Sequence, residues 1–500
     1  MYKNNYLANR LSTGCKIDKN KIFIKSVNDN KEITYNEFFS INEIVARYLT
    51  KNNVKYQDRI LYFAPKSITG FNLFYASILI GAVFVSVNPN YGDDDLAYFI
   101  EDVQPKIIIC HPSDKNKVER ALRGKSCVIN TLTELEQNIQ YTSSDNTPFE
   151  SIETKKDTIA AILYTSGTTG RPKGVIHTHH SLASNAEVLT KTWHFTEKDI
   201  LIHTLPIFHL HGLFTATNVA LNSGCSMLYF PEFNAENVIN IMDKATVLMG
   251  VPPHYEALLN YSCLRERTAN MRLFISGSAP MLPKTHERWF SETDNMILER
   301  YGMTEGSMIS SNPYLGTRKV STVGFPLIGT DLRIVMDDGR PAKTDEIGYI
   351  QFKGDNLFSG YWNLPEKTAE EFTQDGYFIT GDYGKFDSDG YLSVVGRVKD
   401  AINTKDGIVY PKEIEDIIDQ IKDIKESALI AVDSINNTNQ EALLIVVKKD
   451  QLSNDNTSII NVINDKTNKI CNLKDIVFLD SLPKNVMGKV QKVLLRNKYN

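Results

Sequence analysis

Tyr164-Thr165-Ser166-Gly167-Thr168-Thr169-Gly170-Arg171-Pro172-Lys173-Gly174 is the stretch that decides how the rest of the chain is read. It follows the apolar run Ile159-Ala160-Ala161-Ile162-Leu163, which has the length and composition of a buried strand. A strand therefore delivers a loop of three glycines, four small hydroxyl residues and a lysine. Small residues let backbone N–H groups approach an anion, hydroxyls donate to it, and the cation neutralises its charge, which is phosphate-cradle chemistry. No Gly-Lys-Ser/Thr closes the loop, so it is not a Walker loop. A flexible surface loop is the plainer alternative, and the length and order of the stretch disfavour it.

Outward from this loop, apolar runs of strand length recur at Ile107-Ile108-Ile109, Leu201-Ile202-His203-Thr204, Leu273-Phe274-Ile275-Ser276 and Met296-Ile297-Leu298. Polar helical patterns separate them, which predicts an α/β body with parallel-rich sheets. Phe71 to Val87 reads as a helix, a break at Gly81 and the strand Ala82–Val87, too interrupted for a membrane span. Beyond about Gly324 the texture changes to short strands and turns, such as Asp331–Met336 before Asp337-Asp338-Gly339, predicting a small β-barrel-like subdomain. A smaller α+β unit follows, with an amphipathic helix expected over Pro411–Ile421. The expected division is a large domain over residues 1–397 and a small mobile C-terminal domain over 398–500.

The 500 residues carry a formal charge of −5, which excludes the basic excess of most nucleic-acid binders. Six scattered cysteines without a CxxC pair argue against a disulfide framework or zinc site. With no apolar signal segment at Met1–Lys21, the expectation is a cytoplasmic protein, monomer or homodimer.

The loop at Thr165–Gly174 resembles the phosphate loop of the adenylate-forming acyl- and aryl-CoA synthetase superfamily. The family's other motifs follow in order: Leu205-Pro206-Ile207-Phe208-His209, Ser276-Gly277-Ser278-Ala279-Pro280, Tyr301-Gly302-Met303-Thr304-Glu305, Thr380-Gly381-Asp382, Gly396-Arg397-Val398-Lys399-Asp400 and Gly488-Lys489. The resemblance implies ATP, Mg²⁺ and coenzyme A as the small molecules used, with a carboxylic acid as substrate. Thr165, Ser166, Gly167, Thr168, Thr169, Gly170 and Lys173 would hold phosphates. Gly277, Ser278, Ala279, Pro280 and Tyr301 would flank adenine, Gly302 and Met303 would also bind the nucleotide, and Thr304 would meet the α-phosphate. Glu305 would be the magnesium ligand, Asp382 and Arg397 would hold the ribose, Lys489 would be the catalytic cation, and Lys399 the hinge. Candidate loops at Thr165, Leu205, Gly277 and Tyr301 follow apolar strands, where open α/β sheets bind ligands.

The acid is addressed by Glu299-Arg300, placed directly before Tyr301. A buried arginine without an acid partner is costly, and it could hold a second carboxylate by a bidentate pair. Alternatively Arg300 pairs with Glu299 or another acid of the chain. The surrounding wording resembles the malonyl-CoA synthetase branch, whose substrates are malonate and small 2-alkyl malonates. That likeness implies that Arg300 takes the distal carboxylate, with Ser278 and His209 nearby; His209 either contacts the acid or is a packed loop histidine. Positions 404–408, Asp433–Asn439 and Cys471–Lys474 depart from the family pattern, leaving open coenzyme A or a carrier-protein pantetheine as acceptor. Pro253 and Ser321 are lesser departures. The rival readings are a ligase for a medium or long monocarboxylic acid, and an adenylating protein that loads a carrier.

Overall fold

Along Arg59–Phe63, Ile60 and Tyr62 enter one buried cluster while Leu61 and Phe63 enter another, the period-two sorting of a strand buried on both faces. This alternation explains the layering. A computed structural model describes residues 2–142, 149–165, 171–404, 407–421, 423–433, 440–449, 459–463, 471, 473–485 and 487–499.

Two large sheets share one central core. The six-stranded sheet runs in the order Val128–Thr131, Ile107–Cys110, Arg59–Phe63, Val83–Ser86, Ile159–Tyr164 and Gly174–Thr178, parallel except for its last pair. At the centre of the nine-stranded sheet, Leu298–Met303, Leu273–Ser276, Val247–Gly250, Ile200–His203, Ser226–Tyr229 and Ile22–Ser26 pair in parallel. Helices between the sheets contribute Phe38, Phe74, Leu182 and Val219 to the shared core. Outer helices cover the far faces, with Leu96 and Phe99 on the six-stranded sheet and Val238 and Trp289 on the nine-stranded one. The expected α/β architecture is observed.

Gly81 breaks the chain as expected. It takes φ +62° between the helix Ile68–Leu79 and the strand Val83–Ser86. The strand expected at Met296–Leu298 instead begins at Leu298 and continues to Met303. The barrel-like segment is realised as a four-stranded antiparallel meander, Thr330–Val335, Gly348–Gly354, Phe378–Phe386 and Leu392–Arg397.

The meander ends at Arg397, and Ile402–Thr404 belongs to a separate hairpin. Beyond it lie the helix Pro411–Ile418, shorter than expected, and the strands Ile424–Asp433, Gln440–Lys448 and Leu473–Leu479. Lys284 joins this region to the body, its Nζ donating to the carbonyls of Asp419 at 3.0 Å and Ile424 at 2.9 Å. Cys110, Cys127, Cys225, Cys263 and Cys471 are free thiols. No helix among the described residues is long and apolar enough to cross a membrane.

Candidate active site

The nucleotide side is built where the meander meets the strand Leu298–Met303. The Tyr301 hydroxyl donates to Asp382 Oδ2 at 2.5 Å, and Arg397 Nε lies 3.0 Å from Asp382 Oδ1. Asp382 pairs with Arg397 in the ladder between Phe378–Phe386 and Leu392–Arg397, so backbone register brings carboxylate and guanidinium together. Thr380 completes the frame, its carbonyl accepting from Arg397 at 3.2 Å and its hydroxyl from the Asp382 amide at 3.1 Å. Gly302 sits where the chain crosses itself closely: a Cβ there would stand 2.2 Å from the Ser307 carbonyl oxygen. Met303 and Thr304 follow, both half-buried.

The phosphate loop is clamped at its base. The Thr165 amide donates to the Lys173 carbonyl at 3.0 Å, and the Lys173 amide to Thr165 Oγ1 at 3.1 Å. Ser166, Gly167, Thr168, Thr169 and Gly170, expected to hold phosphates, lie outside the described residues. Lys173 Nζ pairs with Glu371 at 2.9 Å and stands 3.9 Å from the centre of the Tyr361 ring. The Tyr361 hydroxyl in turn lies 3.0 Å from Glu305 Oε1 and 2.9 Å from Glu371 Oε2. Neither Tyr361 nor Glu371 carries a local sequence signal.

Glu305 suits a magnesium ion. One hydroxyl proton serves only one of two carboxylates at a time, and the lysine is engaged by Glu371 rather than Glu305. Burial pushes the Glu305 carboxyl above its ordinary value, a cost that a divalent cation would relieve. A single hard carboxylate fits an ion held mainly by waters and substrate phosphates. Glu305→Gln is expected to raise the magnesium concentration needed for half-maximal pyrophosphate release by about tenfold or more. A magnesium titration at fixed ATP checks this, and an unchanged requirement would remove Glu305 from the metal site.

Lys489 approaches this frame from the C-terminal region. Burial draws its ammonium down to about 8, and Arg397, Asp382, Asp400 and Lys399 are near enough to weigh on it. Its loop is docked on the body: Met487 joins the central core, and Gly488 has φ +79° with room for a Cβ denied by Pro253 at 2.5 Å. Pro253, a departure from the family pattern, is thus a platform for the Lys489 loop. Lys399 stands exposed in the single turn Val398–Asp400, and Arg496 Nη1 reaches Asp400 Oδ1 at 2.9 Å.

The candidate residues for the acid gather where parallel strands end. Ile200–His203, Val247–Gly250 and Leu273–Ser276 lead into the loops at Leu205, Pro252 and Gly277, and Arg300 comes from the neighbouring strand. Arg300 is 4% exposed, and its Nε and Nη2 have no hydrogen-bond partner among the described residues. Burial draws its guanidinium down to about 9, so it remains cationic at neutral pH. It is not neutralised by Glu299. Successive side chains on the strand face opposite sides, and Glu299 meets His286 Nε2 at 3.5 Å instead. Among the described residues no acid forms an ion pair with Arg300.

Three histidines of this region are neutral, and His211 is near enough to Arg300 to feel its charge. Burial holds His209 down at about 4 and His254 at about 3, and pulls His211 well below its ordinary value, with Arg300, His203, His254 and His209 adding to the last. His211 was missed by the motif reading although it lies two residues beyond His209. It is 2% exposed, and neither ring nitrogen has a hydrogen-bond partner among the described residues. Ser278 is half-buried with φ +72°, a strained backbone of the kind found at functional sites. Ala279 is half-buried and Pro280 exposed.

Gly277 lies under the guanidinium: a Cβ there would stand 2.3 Å from Arg300 Cζ. Gly277→Ala is therefore expected to displace Arg300 and raise the KM for the acid about tenfold or more. Steady-state kinetics at saturating ATP check this, and an unchanged acid KM would contradict it.

Residues 13–362 match the family described as AMP-binding enzyme. The chain belongs to the AMP-binding enzyme family. It is 31% identical over 462 residues to a malonate–CoA ligase of Arabidopsis thaliana, the match covering 83% of this chain and 74% of that protein. A probable CoA ligase of Humulus lupulus, CCL8, is 34% identical over 377 residues, covering 69% of this chain and 62% of the hop protein's length. The solved structure of ATP-bound MatB from Rhodopseudomonas palustris superposes with a TM-score of 0.94 at 39% identity, covering 98% of this chain and 99% of that one. Together these likenesses support an AMP-forming acid–CoA ligase.

Proposed function

We propose that this enzyme activates malonate, or a small 2-alkyl malonate, as its adenylate and passes the acyl group to coenzyme A. The observation that carries the reading is the Arg300 guanidinium, buried beside Gly277 with two nitrogens that have no hydrogen-bond partner among the described residues. An apolar acyl chain would leave that charge uncompensated at a cost of several kcal/mol, whereas a second carboxylate would satisfy it with charge-assisted hydrogen bonds. The likeness to a malonate–CoA ligase adds support.

In the first step a carboxylate oxygen of the acid attacks the α-phosphorus of ATP, forming the acyl–phosphate bond and expelling pyrophosphate. Arg300 holds the distal carboxylate so that the other one faces the nucleotide, with His209, His211 and Ser278 lining the cavity. Tyr301 and the segment Gly277–Pro280 flank adenine. Asp382, oriented by Tyr301 and Arg397, accepts from the ribose hydroxyls, and Thr304 with the base of the Thr165–Lys173 loop meets the phosphates. The Lys489 ammonium neutralises the charge that builds in the transition state without transferring a proton. Glu305 would hold magnesium, which would supply charge neutralisation for the phosphates. In the second step the thiolate of coenzyme A attacks the acyl carbon, the bond to AMP breaks, and AMP leaves. Lys399 would serve as the hinge that withdraws Lys489 between the steps.

Pyrophosphate release and thioester formation, measured in parallel over short mono- and dicarboxylates, test the proposal. Malonate or a 2-alkyl malonate should lead both. A monocarboxylic acid leading both would overturn the substrate, and pyrophosphate without thioester would overturn coenzyme A as acceptor.

A further inference from the structure

Behind the acid cavity lies a buried cation that the mechanism does not use. Lys66 is 7% exposed, and its Nζ meets the carbonyls of Phe230 at 2.7 Å and His203 at 2.8 Å and the His203 ring Nδ1 at 2.9 Å. The ammonium also stands 4.9 Å from the centre of the Tyr229 ring, whose hydroxyl donates to the Lys66 carbonyl at 2.9 Å. No carboxylate pairs with it among the described residues. On its far side the His203 ring places Nε2 3.0 Å from the Gly212 carbonyl and 3.1 Å from Thr217 Oγ1, which itself donates to that carbonyl at 2.9 Å.

Two assignments of protons satisfy these contacts, an ammonium beside a neutral imidazole or a neutral amine beside an imidazolium, and the greater basicity of an amine favours the first. An ammonium has three donors and no lone pair, matching three acceptors, which leaves His203 Nδ1 bare and its proton on Nε2, directed at Gly212. A neutral amine beside a neutral ring would need the ring proton on Nδ1 and would set the bare Nε2 against a carbonyl oxygen. Burial pulls the Lys66 ammonium well below its ordinary value, and the three acceptors with the Tyr229 ring oppose that pull. Gly212 closes the loop that starts at Leu205: a Cβ on it would stand 2.2 Å from the Pro206 carbonyl oxygen. It also lies in the wide turn of the π-helix His211–Thr217, a form frequent at functional sites.

We propose that Lys66 and His203 are positioning residues for the acid: the charged lysine fixes the His203 tautomer, the ring holds the Gly212 carbonyl, and the loop so anchored sets His209 and His211 beside Arg300. This rests on the proposed function in that the acid is taken to be malonate. The test uses the full-length enzyme and the variants His203→Phe, which keeps the ring shape without its nitrogens, and Lys66→Met. KM for the acid and KM for ATP are measured separately, with the thermal midpoint read alongside. Wild type is run first on the acid panel. If another acid is preferred, the function reading fails and the variants are judged on that acid instead. The expected result for His203→Phe is an acid KM raised about tenfold or more with the ATP KM within about twofold of wild type. Lys66→Met should move in the same direction; if it does not fold, His203→Phe decides. An unchanged acid KM, or acid and ATP constants rising together, would overturn the proposal.

Discussion

Replacing Arg300 with methionine is expected to lower malonate-dependent pyrophosphate release about a hundred- to a thousandfold, equivalent to about 3–4 kcal/mol of lost charge-assisted contact. The same substitution should make the ligand-free protein more stable, by about 1–3 kcal/mol, because it exchanges an uncompensated buried charge for an apolar side chain of similar volume. This opposite movement of activity and stability is diagnostic. An arginine that merely braced the fold would lose both on replacement, and one already neutralised by a protein acid would leave that acid stranded and the protein weaker. Thermal or denaturant unfolding of wild type and Arg300→Met, run beside the pyrophosphate assay, separates the cases. Retained malonate use would move the distal carboxylate elsewhere in the cavity.

Lys489→Met should have an effect of comparable size confined to one half of the reaction. Removing a positive group aimed at developing charge typically costs about a hundred- to a thousandfold in rate. That loss should appear in malonate-dependent exchange of pyrophosphate into ATP, while thioester formation from supplied malonyl-adenylate stays near the wild-type rate. The pH dependence has a definite sign. Burial draws the Lys489 ammonium down to about 8, so its charge is present below that value and is lost above it. Wild-type adenylation should therefore decline above about pH 8, by up to tenfold per pH unit once the lysine is mostly neutral. Lys489→Arg, which stays charged, should not show that decline. Equal loss in both half-reactions would contradict the role.

The motifs at Thr165, Leu205 and Gly277 were legible because each follows an apolar strand whose length and composition mark it without reference to the rest of the chain, whereas Tyr301, Asp382 and Arg397 lie within strands. Thr165, Leu205 and Gly277 stand at strand ends as the sequence implied. Reading Met296–Leu298 as the whole strand hid a decisive consequence. Once the strand runs from Leu298 to Met303, Glu299 and Arg300 face opposite sides and cannot neutralise each other. The contacts that tune the site were not legible, because they join residues far apart in the chain. Lys173 meets Glu371, Lys66 meets His203 and Phe230, and Gly488 meets Pro253, pairings that only the folded topology creates. Spacing and periodicity carry no signal for such pairs. His211 was the exception: it was visible beside His209 and overlooked, since a histidine on an apolar stretch usually serves packing.

The most direct measurement is a crystal structure of the enzyme with malonate and ATP bound. The expected result is one carboxylate of malonate on the Arg300 guanidinium at about 2.7–2.9 Å, with the other turned toward the α-phosphate. A malonate held away from Arg300, or a guanidinium swung to a carboxylate of the chain itself, would contradict the diacid assignment.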